Sequence, residues 1–167
     1  MANDNSLICF KAIANFTTEL GKLFSKKQRS LKLYSHLIDK TTISHEKSIE
    51  KHIGVFKEFC VKNRESILSK NINSLDPHTI SYSNKVFINL KEIFDLADSE
   101  TKDIIWNHIL CISALVDPAG KAKEVLKENM KNNNAKGESE FLSNIIDKVE
   151  QNVSQSRSMN SSHLLDR

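Results

Sequence analysis

A chain of 167 residues with only four glycines, two prolines and three cysteines can bury a core without disulfide staples, and it is poor in the residues that punctuate β-rich folds. The net charge is a modest +3, and the longest apolar run, Ile109 to Val116, is broken by Ser113, far short of the ~20 residues that span a bilayer. Met1-Ala2-Asn3-Asp4 lacks a basic, apolar leader, and Ala2 replaces the glycine that N-myristoylation requires.

The expectation is therefore a soluble, intracellular, mainly α protein: a single-domain bundle of about six or seven helices, with no membrane insertion. The organisation reads as a helical core domain over 1–131, a polar linker over 132–137, an amphipathic helix over 138–153 and a disordered tail over 154–167.

Between Asp4 and Phe24, Leu7, Phe10, Ile13, Phe16 or Thr17, Leu20 and Leu23 recur every three or four residues, the spacing of one helical face. Asp4 or Ser6 can cap its start. After the basic connection Lys26-Lys27-Gln28-Arg29, residues Leu31, Tyr34, Leu37 and Ile38 outline a shorter helix ending near Thr41, so the two form a helical hairpin. Ser44 is a candidate N-cap for the third helix, with Glu46 in its first turn, where the helix dipole favours negative charge. There Ile49, Ile53, Phe56 and Cys60 share a face, with His52 and Phe59 on its flank.

Residues 69–79 read as a loop, because Asn71, Asn73, Ser74 and Asp76 cluster before Pro77. The period then changes to two. Ile80 alternates with Tyr82, and Val86 with Ile88, around Ser83-Asn84, which predicts a short β-hairpin near 79–89. A helix starting near Ser83 is the alternative. The hairpin is preferred because Asn89-Leu90-Lys91-Glu92 resembles a capping box that opens a helix at Leu90, with Ile93, Phe94 and Ala97 facing inward.

Asp98 can cap a further helix whose Ile105, Ile109, Ile112 and Leu115 or Val116 form the most hydrophobic face of the chain, as a central helix would. Asp117-Pro118 predicts the start of another, since proline suits the first helical position; it would carry Ala119, Ala122, Val125, Leu126 and Met130. Phe141, Leu142, Ile145, Ile146, Val149 and Val153 then outline the terminal amphipathic helix. Tethered by a polar linker, it can dock on its own domain or in a partner's groove, and docking in cis is the preferred reading.

No constellation specifies chemistry. Leu115 to Lys121 ends in Gly-Lys but lacks the first glycine, the final Ser or Thr and the preceding strand of a phosphate-binding loop. The six histidines and three cysteines show no paired ligand spacing, so no metal, cofactor or catalytic residue is assigned. Cys60 and His52 are two turns apart, with no evident oxyanion site, and Cys9, Cys60 and Cys111 read as reduced core thiols. Trp106 is expected to be buried, and His52 and His108 to sit half-buried on helix flanks.

Charge is unevenly placed. Residues 26–70 hold eleven Lys or Arg against five Asp or Glu, and Lys26, Lys27, Arg29, Lys51, Lys62 and Arg64 are the candidates for contacting nucleic acid or an acidic partner. A mixed-charge solvated face is the plainer account of α-helical lysines here, because Glu58 precedes Lys62 by four residues, the favourable order for an ion pair.

The strings Leu31-Lys32-Leu33-Tyr34, Leu37-Ile38-Asp39-Lys40-Thr41-Thr42, Ile49-Glu50-Lys51-His52-Ile53, Phe59-Cys60, Tyr82-Ser83-Asn84-Lys85-Val86, Ile105-Trp106-Asn107-His108 and Ala114-Leu115-Val116-Asp117-Pro118 resemble a small uncharacterised protein family of giant nucleocytoplasmic DNA viruses. The resemblance covers roughly residues 30 to 150. It implies a host-cytoplasm or virion setting and no assigned activity. The functional expectation is a non-enzymatic protein-interaction or virion-associated structural module with a protein partner; the alternative is nucleic-acid binding through residues 26–64.

Overall fold

The computed structural model describes residues 4–42 and 44–132; the predicted terminal helix with Phe141, Leu142, Ile145, Ile146 and Val149, and the predicted tail, lie outside the described residues. Seven α-helices and one two-stranded antiparallel sheet occur among the described residues, in the order α1 (Asp4–Phe24), α2 (Arg29–Lys40), α3 (Glu46–Lys62), α4 (Arg64–Leu68), a 3-10 turn (Ile72–Ser74), β1 (Thr79–Ser81), β2 (Phe87–Asn89), α5 (Leu90–Leu96), α6 (Ser99–Val116) and α7 (Ala122–Asn132). The mainly α expectation and the short hairpin are both observed.

Helix α1 buries Cys9, Phe10, Ala12, Ile13, Phe16, Thr17 and Leu20. Its predicted face drifts at the last turn, where Phe24 is buried and Leu23 is 62% exposed. Helix α2 folds back on α1 and inserts Leu31, Tyr34 and Ile38. Where Gly21 faces α2, a Cβ would lie 2.6 Å from Ser35 Oγ and 2.9 Å from Ser35 Cβ, so the missing side chain is what admits Ser35.

Helix α3 starts one residue later than predicted. His45, rather than Ser44, is its N-cap, and the His45 Nδ1 accepts a hydrogen bond from the Thr42 amide at 3.0 Å. Its core stripe is Ile49, His52, Phe56, Phe59 and Cys60, with Ile53 only half-buried; the expected places of His52 and Ile53 are thus exchanged. Helix α4, within the basic middle, went unpredicted.

Asn89 caps α5 by accepting from the Glu92 amide at 3.2 Å, and Asp98 caps α6 by accepting from the Thr101 amide at 2.8 Å. Helix α6 is the central one: Ile105, Trp106 and all residues from Ile109 to Val116 are buried. The predicted helix at Pro118 is displaced. Residues 118–121 form a turn closed by the Gly120 amide on the Asp117 carbonyl at 3.0 Å, Ala119 is exposed, and α7 begins at Ala122. The helices share one hydrophobic core with Ile80 and Ile88 of the hairpin.

Candidate functional site

Lys26, Lys27, Arg29, Lys51, Lys62 and Arg64 are all exposed, but their surroundings divide them. Arg64 forms a two-pronged pair with Asp117, Nε to Oδ2 at 2.7 Å and Nη2 to Oδ1 at 2.6 Å, and the Asp117 side chain is 3% exposed. A carboxylate at the C-terminal cap of α6 opposes the helix dipole, and the guanidinium offsets it, which makes Arg64 a structural residue. The neighbouring carboxylate also raises the Arg64 guanidinium further. Lys62 meets Glu58 at 2.8 Å as their spacing predicts, and the bonded ammonium lowers the Glu58 carboxyl. Lys51 Nζ lies 4.2 Å from the centre of the Tyr82 ring, a cation–π arrangement. Lys26, Lys27 and Arg29 occupy the turn between α1 and α2 and the first position of α2.

Below Lys51, an aromatic stack leads into the core. The Tyr82 ring lies over His52 with centroids 4.5 Å apart, and His52 Nδ1 is 3.2 Å from the Tyr34 hydroxyl. His52 is fully buried, and its Nε2 has no hydrogen-bond partner. Burial pushes its imidazole down to about 4, with Lys51 adding to the effect, and burial pushes the Tyr34 hydroxyl up. The pair is therefore neutral near pH 7. His108, expected on a helix flank, is half-buried with its ring against Phe16, and burial lowers it too.

The three thiols are buried and unpaired. Desolvation pushes Cys9 up to about 11 and Cys60 and Cys111 up to about 12, so each is protonated at neutral pH and a poor nucleophile. Cys60 hydrogen-bonds Ser113, and the Cys9 thiol points to the Leu115 carbonyl at 3.8 Å. Among the described residues, no three His, Cys, Asp or Glu side chains converge as metal ligands.

The hairpin offers a different kind of site. Thr79 pairs with Asn89, Ile80 with Ile88 and Ser81 with Phe87. The flanking bonds, Tyr82 amide to Val86 carbonyl and Leu90 amide to His78 carbonyl, set the alternation of an antiparallel ladder: Ile80 and Ile88 exchange the bonds between the strands, whereas the main-chain groups of Thr79, Ser81, Phe87 and Asn89 point away from the partner strand. On the β2 side, Gln28 fills this edge. Its Oε1 accepts from the Asn89 amide at 2.9 Å and its Nε2 donates to the Asn89 carbonyl at 3.3 Å. On the β1 side, the Asn63 amide holds the segment leading into the strand, donating to the Pro77 carbonyl at 3.0 Å and accepting from the Asp76 amide at 2.9 Å.

Beyond that clamp, the outward main-chain groups of Thr79 and Ser81 have no hydrogen-bond partner among the described residues. These two residues line a cleft of about 170 Å³ between β1 and α3, with Val55, Phe59 and Ile80 as its apolar lining and Glu58, Lys62 and Pro77 completing it. Sequence reasoning missed Val55, Thr79 and Ser81 as a group. Only the hairpin's period of two hinted that alternate main-chain groups would face outward, and nothing local showed that α3 would lie beside them.

The chain belongs to a family of unknown function, DUF5891, whose model matches residues 9–160. No curated protein and no solved structure matches it. Membership of DUF5891 assigns no activity and no site residues, so a functional reading rests on the geometry. That match extends across the segment predicted as the terminal helix. No helix among the described residues is long and apolar enough to cross a membrane.

Proposed function

We propose that this member of DUF5891 is a non-enzymatic protein-interaction module. The observation that carries the reading is the cleft beside β1, where main-chain donors and acceptors of Thr79 and Ser81 adjoin the apolar surface of Val55 and Phe59. At about 170 Å³ the cleft is smaller than the ~300–1,000 Å³ of typical small-molecule and cofactor sites. It is close to the ~150 Å³ that holds a single benzene ring, the scale of one side chain from a protein partner. A host-cytoplasm or virion setting is supported by the resemblance to the viral family, and the module would then serve as a structural contact there. Affinity purification of the native protein, with and without nuclease, tests the reading: protein partners that survive nuclease are expected, and capture of nothing but nuclease-sensitive material overturns it.

The second reading, nucleic-acid binding, is supported by Lys26, Lys27 and Arg29, three exposed cations within one turn. Lys62 and Arg64 lend it little, because each is engaged by a carboxylate. Binding to phosphates would weaken steeply with salt, and its absence at low ionic strength removes this reading.

A further inference from the structure

We infer that the β1 edge takes an extended peptide segment of a partner protein by strand addition, with one apolar side chain of that segment seated against Val55 and Phe59. The inference rests on the interaction-module reading and specifies its site and its ligand chemistry.

The hydrogen-bonding pattern identifies the occupant. An outward-facing strand edge presents amide and carbonyl groups at every second residue, and a further extended main chain matches that spacing. The fold itself shows how such groups are satisfied: Gln28 supplies a primary amide to Asn89 on β2, and Asn63 supplies one to Asp76 and Pro77 ahead of β1. Thr79 and Ser81 continue the same edge, with no such amide facing them among the described residues. A short peptide strand running beside β1 would exchange main-chain bonds with both.

The cleft then determines the side-chain requirement. Successive residues of an added strand point to opposite faces, so one face of the peptide meets Val55, Phe59 and Ile80, and the volume admits a single leucine- or phenylalanine-sized group. Phe59 and Ile80 are buried while Val55 is half-buried, which gives an apolar floor with an accessible side. The Glu58–Lys62 pair at the rim offers both signs of charge at exposed positions, suited to polar neighbours of the anchor.

A phage-displayed library of random dodecapeptides, panned on the full chain, tests this. Enriched peptides are expected to share a short alternating segment with one large apolar residue. Their affinity should fall about tenfold in Val55→Glu, which places a charge in the cleft, and in Ser81→Pro, which deletes an outward amide at a position where a strand edge tolerates proline. N-methylation along a selected peptide should abolish binding at alternate residues and spare those between, a period of two that side-chain docking alone does not produce.

Uniform tolerance of N-methylation, or a period of three to four, overturns strand addition, as does failure of any peptide to enrich. Val55→Glu and the methylation scan decide the matter if Ser81→Pro disturbs the hairpin. Concentration-dependent dimerisation abolished by the same variants would show a second copy on the edge and overturn the peptide assignment. Nuclease-resistant partners captured equally by wild type, Val55→Glu and Ser81→Pro would overturn the edge as the site while leaving the interaction-module reading standing.

Discussion

Gln28 and Asn89 are joined by a reciprocal pair of hydrogen bonds across 61 residues of sequence, the side-chain amide of one closing the main-chain edge of the other. Gln28 Nε2 also donates to Glu92 Oε1 at 3.2 Å. In a complete capping box Glu92 would reach back to the Asn89 amide; here Gln28 takes that amide and ties the carboxylate as well. One 5%-exposed residue thus anchors the α1–α2 turn to the hairpin and to α5. Gln28→Ala should cost about 1–3 kcal/mol, the range for stranding buried polar groups. Gln28→Glu should be at least as damaging, since it sets a carboxylate oxygen against the Asn89 carbonyl and Glu92. Urea unfolding followed by circular dichroism measures both.

Gly21 gives a steric prediction. Gly21→Ala should raise helix propensity by about 1 kcal/mol, yet its methyl group would meet Ser35 Oγ at 2.6 Å and Cβ at 2.9 Å. Overpacking of about 1–3 kcal/mol should outweigh the gain, so the variant is expected to be less stable. Adding Ser35→Ala removes only the oxygen and should recover part of the loss. Adding Ser35→Gly removes both close atoms and should recover more, despite glycine's own cost in a helix. The order of the three melting temperatures checks this.

Asp117 and Arg64 bear on any charge-reversal experiment. Asp117→Asn should lower the melting temperature by roughly 5 °C, on the scale expected of a small domain losing a buried charged acceptor. Arg64→Glu should unfold more readily still, because it opposes a second carboxylate to Asp117. A loss of nucleic-acid or partner binding in Arg64→Glu would therefore report destabilisation first. Lys26→Glu, Lys27→Glu and Arg29→Glu alter exposed cations and should leave the melting temperature within a degree or two, so these three isolate surface charge. Differential scanning fluorimetry beside a salt-dependent binding assay separates the effects.

Those residues also show what could be read from sequence. The limits of α1 and α2, the hairpin, and the caps Asn89 and Asp98 follow from local period and capping chemistry, and they appear where expected. The start of α7 does not. Asp117-Pro118 is a sound local start signal, but the Asp117 carboxylate is bound by an arginine 53 residues earlier, and local patterning carries no trace of that. Helical spacing from Ile49, Ile53, Phe56 and Cys60 puts His52 on a flank; its burial is favourable because Tyr34, 18 residues earlier, supplies a hydroxyl and Tyr82 a stacking ring. The open edge at Thr79 and Ser81 was half legible: alternation gave the strands, while α3 beside them is a tertiary relationship.

His52 makes the fold sensitive to acid. Its folded value of about 4 lies below the ordinary 6.5, so between these values the unfolded chain binds a proton that the folded chain refuses. Stability contributed by the neutral, buried ring is fully present above about pH 6.5 and is lost as pH falls towards 4, by roughly 3 kcal/mol in total; His108, also lowered by burial, acts in the same direction. Urea midpoints measured between pH 7 and pH 4 should show this decline, and His52→Phe should flatten it. His52→Phe alone leaves the Tyr34 hydroxyl buried without its partner and is expected to be destabilising at pH 7 by about 1–3 kcal/mol. Tyr34→Phe with His52→Phe removes the hydroxyl and the unpartnered Nε2 together, so the double variant should be more stable than either single one. Strict additivity of the two substitutions would show that the Tyr34–His52 contact carries no coupling, whereas a favourable interaction term would tie the acid sensitivity to that one pair.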